Sequence, residues 1–256
     1  MEFKKYQHVE RFGSTEVKDI EIGECLIFPK LDGTNSSVWL HDVGHIRAGS
    51  RNRELTLDKD NAGFYAYASS NDNIKNYLEK HPTHRLYGEW LVPHSLKTYR
   101  DDAWRRFYIF DVCIDKEDGG VEYIPYDIYK PLLEEFNLDY IPPLAVIRNG
   151  SYDQLIYYLD KNNFLVQDGK GSGEGIVIKN YNFYNRYGRQ TWAKIVTNEF
   201  KEKHIKEMGS PRIWYEFIKE ESWNIVKHFK SPTINYKLLN NLVTKRIKEV
   251  KQDIFS

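Results

Sequence analysis

Between residues 24 and 196 the chain is cut into short alternating or apolar runs by glycine and asparagine, and charged residues stand inside several of those runs. Runs of this length and texture read as half-buried strands and hairpins. The candidates are 24–31, 35–41, 44–49, 84–92, 106–115, 120–124, 140–147, 174–180 and 189–196. Helices are fewer. "DNIKNYLEKH" (72–81) and "YDIYKPLLEEF" (126–136, with Pro131 limiting or bending it) are two. A third follows Ser151, which has capping-box spacing to Gln154. The expected class is α+β, with antiparallel sheets flanked by helices.

After Phe200 the apolar spacing becomes helical and heavily charged, with breaks at Gly209-Ser210-Pro211 and Ser231-Pro232. Two parts are therefore expected: a mixed domain over 1–200 and a small helical appendage over 201–256. Lysine plus arginine equal aspartate plus glutamate at 37 each, so any surface for a polyanion must be local. Cys25 and Cys113 lie far apart in apolar runs, as reduced, buried thiols do. With no apolar signal region or membrane-length run, a soluble cytoplasmic protein is expected, and the lysine, asparagine and isoleucine bias hints at AT-rich coding, as in a phage, a virus or an AT-rich microbe.

The interrupting charges carry the chemistry. In "KLDGTN", strand alternation puts Lys30 and Asp32 on one face, and Gly33 allows a turn and close ligand approach. A lysine in a partly desolvated site crowded by cations can be a nucleophile; an exposed hairpin turn is the plain alternative. Arg51 in "RAGSRNREL" offers a planar fork to a phosphate, or is a solvated basic turn. Glu89 interrupts "RLYGEWLV" and must be paired, bind metal or ligand, or face water at an edge. In "RRFYIFDVCI", Tyr108 and Phe110 share a face as base-stacking platforms or core. Glu174, Lys179 and Lys194 interrupt two apolar strands that pair as a hairpin, where a charged ligand such as a nucleotide phosphate would satisfy them.

Other chemistries fit poorly. The glycines of "DGKGSGEG" do not match a P-loop, and no serine sits in a G-x-S-x-G elbow. His81 and His84 lack further ligands in frame and read as a surface loop.

The order K-x-D-G-x-N, R-N-R, Y-G-E, F-Y-I-F-D, E-G-x-V-x-K and a final strand lysine resembles the covalent nucleotidyltransferases. These are the ATP-dependent RNA and DNA ligases and the mRNA-capping guanylyltransferases. Within them the chain is most similar to nick-sealing phage RNA ligases and kinetoplastid editing ligases. Asn35 supports that branch, since DNA ligases and capping enzymes usually carry arginine there. So does the ending, since those enzymes continue into an OB-fold domain.

The resemblance implies a nucleotidyltransferase (ATP-grasp-like ligase) fold and an ATP-dependent RNA ligase working with Mg²⁺ or Mn²⁺. It implies RNA ends at a nicked or bridged duplex as partner, and a monomer. Lys30 would take AMP from ATP, pass it to a 5'-phosphate end, and a 3'-hydroxyl would then displace it. Asn35 and Arg51 would bind near the phosphates, with Asp32 in the same nucleotide-binding group. Glu89 would hold the ribose, Phe110 stack on adenine, and Glu174 bind metal or nucleotide. Lys179 and Lys194 would contact the α-phosphate and lower the pKa of Lys30. One departure concerns the last motif, often K-x-K in this branch but Lys194-Ile195-Val196 here. Matched to the first lysine, Lys194 leaves Val196 in the second place; matched to the second, it leaves Trp192 in the first. The following "NEFKE" favours the former. The alternatives are a DNA ligase, a capping guanylyltransferase, or a non-catalytic nucleotide-binding module.

Overall fold

Strand β2 (Glu24–Lys30) shows how the sequence divides its faces. Cys25 and Ile27 enter one apolar cluster, while Leu26, Phe28 and Lys30 point to the other side. The same alternation runs through β9 (Gly175–Lys179), where Ile176 and Ile178 join the first cluster and Val177 and Lys179 the second face. In β10 (Ala193–Val196), Ala193 and Ile195 go one way and Lys194 the other. Each lysine thus sits at a strand position that alternation aims away from the helix-covered core.

The computed structural model describes residues 1–197, apart from 43, 94–97 and 118. The remaining strands are β1 (Glu10–Arg11), β3 (Thr34–Asp42), β4 (His45–Ser50), β5 (His84–Leu91), β6 (Arg106–Asp115), β7 (Val121–Tyr123) and β8 (Ala145–Arg148). The helices are α1 (Phe64–Ser70), α2 (Asp72–Lys80), α3 (Tyr126–Glu135) and α4 (Tyr152–Asp160). One five-stranded sheet has the order β1-β10-β9-β2-β8, antiparallel except where β1 runs parallel to β10. The other, β4-β3-β5-β6-β7, is antiparallel throughout.

Each sheet buries one face against helices. Leu155 and Leu159 of α4 pack on Ile27, Ile176 and Ile178. Phe64, Tyr77, Leu78, Tyr129 and Leu133, from α1 to α3, cover Val38, Leu86, Trp90 and Val112. The remaining faces of the two sheets line a shared cleft. The expected α+β class is thus what the chain adopts.

Local signals account for the helix starts. The Ser151 hydroxyl accepts from the Gln154 N–H, and the Gln154 side chain accepts from the Ser151 N–H, which is the expected capping box. Asn71 caps α2 through the Ile74 N–H. Helix α3 keeps Pro131 inside it.

Several expectations need correction. The Lys30–Thr34 turn is not a hairpin, because β2 and β3 belong to different sheets and the turn carries the chain between them. The 140–147 strand begins only at Ala145; Pro142 and Pro143 cannot donate to a ladder, and Tyr140 forms just an isolated bridge to Ile109. His84 is not on a surface loop: it opens β5, is 8% exposed, and its Nδ1 lies 2.8 Å from the Tyr77 hydroxyl. Helix α1 and strand β1 were not anticipated, being too short for a periodic signal. The helical appendage over 201–256 lies outside the described residues.

Candidate active site

The turn between the sheets fixes the nucleophile candidate. Lys30 ends β2 opposite Gly175, and its Nζ donates to Glu174 Oε2 at 2.5 Å. Gly33 then passes so close to β5 that a Cβ would stand 2.8 Å from the Trp90 carbonyl and 2.9 Å from Glu89 Cγ. Only glycine fits there. Its N–H donates to Glu89 Oε1 at 3.2 Å, and the Asp32 N–H donates to the Tyr99 hydroxyl at 2.7 Å.

Glu89 and Asn35 are register partners across β5 and β3 and project into the cleft together. Arg51 follows directly on β4 at its rim. The cleft, about 400 Å³, is also lined by Lys30, Phe110, Lys179 and Lys194, and is of a size suited to a small-molecule ligand. Of the nine residues singled out from sequence, seven line this space. Glu174 reaches it through Lys30, and Asp32 through its field on Lys30.

A bulge arranges the opposite wall. Tyr87 pairs with Asp111 and Gly88 with Ile109, leaving Phe110 as the extra residue of β6. Plain alternation would send Phe110 and Asp111 to opposite faces. With the bulge, Phe110 lines the cleft and Asp111 lies directly behind it, against Lys179. Tyr108 instead packs in the core, with its hydroxyl on the Ala103 carbonyl.

Lys179 is 2% exposed, and its Nζ donates to Asp111 Oδ1 at 2.7 Å and to the Phe110 carbonyl at 2.5 Å. The ammonium lies 4.7 Å from the centre of the Phe28 ring and 5.7 Å from that of Trp192. Asp111 Oδ2 accepts from the Tyr6 hydroxyl at 2.5 Å and from Trp192 Nε1 at 3.2 Å. The Lys179 charge is therefore met by a carboxylate.

The electrostatics differ from the expected lowering of Lys30. Burial does pull Lys30 down, but the Glu174, Glu89 and Asp32 carboxylates outweigh it and hold the ammonium above the usual lysine value. The lowered lysines are the others. Burial lowers Lys179 against the pull of Asp111, and burial together with the Lys30 charge lowers Lys194. Burial pushes Glu89 up to about 8, with Lys30 opposing and Glu174 reinforcing. Glu174 is raised by burial, against Lys30.

Sequence reasoning missed Tyr6, Asp111 and Trp192 as parts of the site. A carboxylate ending an apolar run marked Asp111, but nothing short-range marked Tyr6, which reaches the cleft from the N-terminal segment.

A family model for RNA ligase matches residues 23–196. The chain belongs to the RNA ligase family. Among solved structures, the Naegleria gruberi RNA ligase with PPi aligns at a TM-score of 0.60 and 23% identity, over 80% of this chain and 58% of that one. A mutant of the same ligase with ATP and Mn aligns at 0.61 and 21%, over 79% and 57%. Another mutant, with AMP and Mn, aligns at 0.59 and 20%, over 78% and 58%. This member of the family thus shares their fold and spans somewhat under three fifths of their length. Among its described residues no helix is long and apolar enough to cross a membrane.

The cleft of this family member also suits a divalent ion. No three His, Cys, Asp or Glu side chains converge into a metal cage among the described residues. Mg²⁺ needs no such cage, since one or two carboxylates with substrate phosphates and water hold it. Glu174, 9% exposed, and Glu89 bring two carboxylates together beside Lys30, where a cation would relieve their mutual repulsion.

Proposed function

We propose that the chain is an ATP-dependent RNA ligase that seals 3'-hydroxyl to 5'-phosphate ends through AMP carried on Lys30. The observation that carries this reading is the Lys30–Glu174 pair at the mouth of a cleft whose far wall is Phe110 backed by Lys179. Lys30 Nζ forms a bond to the α-phosphorus of ATP as the bond to pyrophosphate breaks, and the amine gives up a proton. The AMP moves to the 5'-phosphate, and the 3'-hydroxyl displaces it. A bound Mg²⁺ or Mn²⁺ neutralises phosphate charge during such transfers.

In this reading Phe110 stacks on the adenine and Glu89 and Asp32 serve the nucleoside end. Asn35, Arg51, Lys179 and Lys194 act toward the phosphates, and Glu174 is the metal ligand. Glu174 also holds Lys30 protonated, and the same carboxylate would hold a bound cation. The RNA is a nicked or bridged duplex, and the protein acts as a cytoplasmic monomer. Asn35 favours RNA over DNA ligation.

The basic residues of 201–256, including Arg212, Lys245, Arg246 and Lys248, supply cations for the phosphates of duplex ends.

The test is a panel of 5'-labelled substrates: nicked, bridged and single-stranded RNA, and nicked DNA, each with ATP or GTP. Sealing of the RNA nick with ATP in preference to the rest supports the reading. Faster sealing of an all-DNA nick moves it to a DNA ligase. A GTP preference moves it to a capping enzyme.

A further inference from the structure

Two buried side chains outside the cleft lining connect the segments that carry Lys30 and Glu174. Tyr99 is 2% exposed, and its hydroxyl accepts from the Asp32 N–H at 2.7 Å, two residues beyond Lys30. Its ring stands edge-on to Trp104 at 5.5 Å and packs with Phe28 and Leu31. Asn162 is 1% exposed and holds both neighbours of Glu174. Its side-chain Nδ2 donates to the Gly175 carbonyl at 2.6 Å, and its main-chain carbonyl accepts from the Gly173 N–H at 2.7 Å, so Asn162→Ala removes the first bond and leaves the second.

These two anchors are themselves joined. Tyr99 bridges Val166 in antiparallel fashion, the Arg100 N–H donates to the Leu165 carbonyl, and the Gln167 N–H to the Thr98 carbonyl, both at 2.9 Å. The short ladder between 98–100 and 165–167 therefore ties the Lys30–Gly33 turn to the loop that presents Glu174. The two ends of the Lys30–Glu174 ion pair lie 144 positions apart in sequence. Beside the β2–β9 ladder, this bracket is a second connection between the two segments.

We propose that Tyr99 and Asn162 are positioning residues for the adenylation step, setting the reach of Lys30 relative to Glu174 through this bracket. The proposal rests on the reading that Lys30 accepts AMP. A displacement of about 1 Å in a reacting group can cost on the order of a hundredfold in rate, so a single hydrogen bond at the turn is enough to matter. Neither residue lines the cleft, and the effect is confined to the steps that make and break the bond to Lys30.

The test uses the full chain with Tyr99→Phe, which removes the hydroxyl and keeps the ring, and with Asn162→Ala as a second variant. Single-turnover formation of the covalent label from ATP is measured across ATP concentration and pH, beside sealing of an RNA whose 5' end already carries AMP. The thermal midpoint serves as the folding control.

In Tyr99→Phe the labelling rate falls about tenfold to a hundredfold and its pH midpoint moves. The ATP concentration at half-maximal rate stays close to that of wild type, and sealing of the pre-adenylated end is retained. Asn162→Ala gives the same pattern. Wild-type labelling in both variants, or equal loss in labelling and in pre-adenylated sealing, overturns the proposal. Wild-type protein that takes no label overturns the Lys30 reading instead, and this inference with it.

Discussion

Lys30 Nζ lies 2.5 Å from Glu174 Oε2, joining the last residue of β2 to the residue just before β9. The contact holds the proposed nucleophile in its charged form, because the surrounding carboxylates outweigh burial. Removing the Glu174 charge lets burial act on Lys30. In Glu174→Gln the pH midpoint of adenylate formation therefore moves to lower pH, while the maximal rate falls with the loss of the proposed metal ligand. Stopped-time labelling from pH 6 to 10 reads both, and a midpoint that stays or moves upward counts against this electrostatic account.

Glu89 makes stability depend on pH in the opposite sense to most carboxylates. Its value is raised from 4.5 to about 8 in the folded chain, so between those pH values the native state binds the extra proton. Stability from this group is present at low pH and is lost as pH rises through about 8. Glu89→Gln should flatten that decline in thermal midpoints measured from pH 5 to 9. A mutant curve parallel to the wild-type curve would show that Glu89 ionises normally.

Either single substitution in the buried Lys179–Asp111 pair strands one charge, but the two stranded groups differ in the partners they keep. Asp111→Ala leaves an ammonium almost wholly buried, a loss of about 3–5 kcal/mol in comparable cases. Lys179→Met keeps a long apolar side chain among Phe28, Phe110 and Trp192, and Asp111 keeps its donors Tyr6 and Trp192. Urea unfolding should show the smaller loss for Lys179→Met. The reverse ranking would mean that the pair is not the anchor its geometry indicates.

Gly88→Ala probes the bulge that aims Phe110. An added Cβ would stand 2.5 Å from the Phe107 ring and 2.6 Å from the Tyr108 carbonyl, so β6 must shift. The expected cost is about 1–3 kcal/mol, with weaker ATP binding because Phe110 moves with the strand. Calorimetric titration at a temperature where the mutant is folded checks this; unchanged ATP affinity would detach the bulge from the nucleotide pocket.

These cases show what the sequence made legible. Lys30, Glu89, Lys179 and Lys194 could be picked out because each interrupts an apolar strand, and period-two alternation then aims them together, whereas Asn35 was marked only by its place in a motif. The sheets' class followed from the same pattern. The partner of Lys179 could not be read, because a bulge adds one residue and reverses the face of everything beyond it, including Asp111. The crossing at Gly33 looked like a hairpin because local turn chemistry does not record which sheet each strand joins. Tyr6 and Tyr99 act through contacts 105 and 67 positions away, for which no short-range signal exists. The direction of the Lys30 shift depended on counting carboxylates that only the fold brings near.

The most direct test of the central claim is to incubate the full chain with a divalent ion and ATP labelled at the α-phosphate, then map the label by peptide mass spectrometry. The account predicts an acid-labile AMP on Lys30, absent from Lys30→Ala and lost on adding pyrophosphate. Label on another residue, label retained in Lys30→Ala, or none on wild type would contradict it.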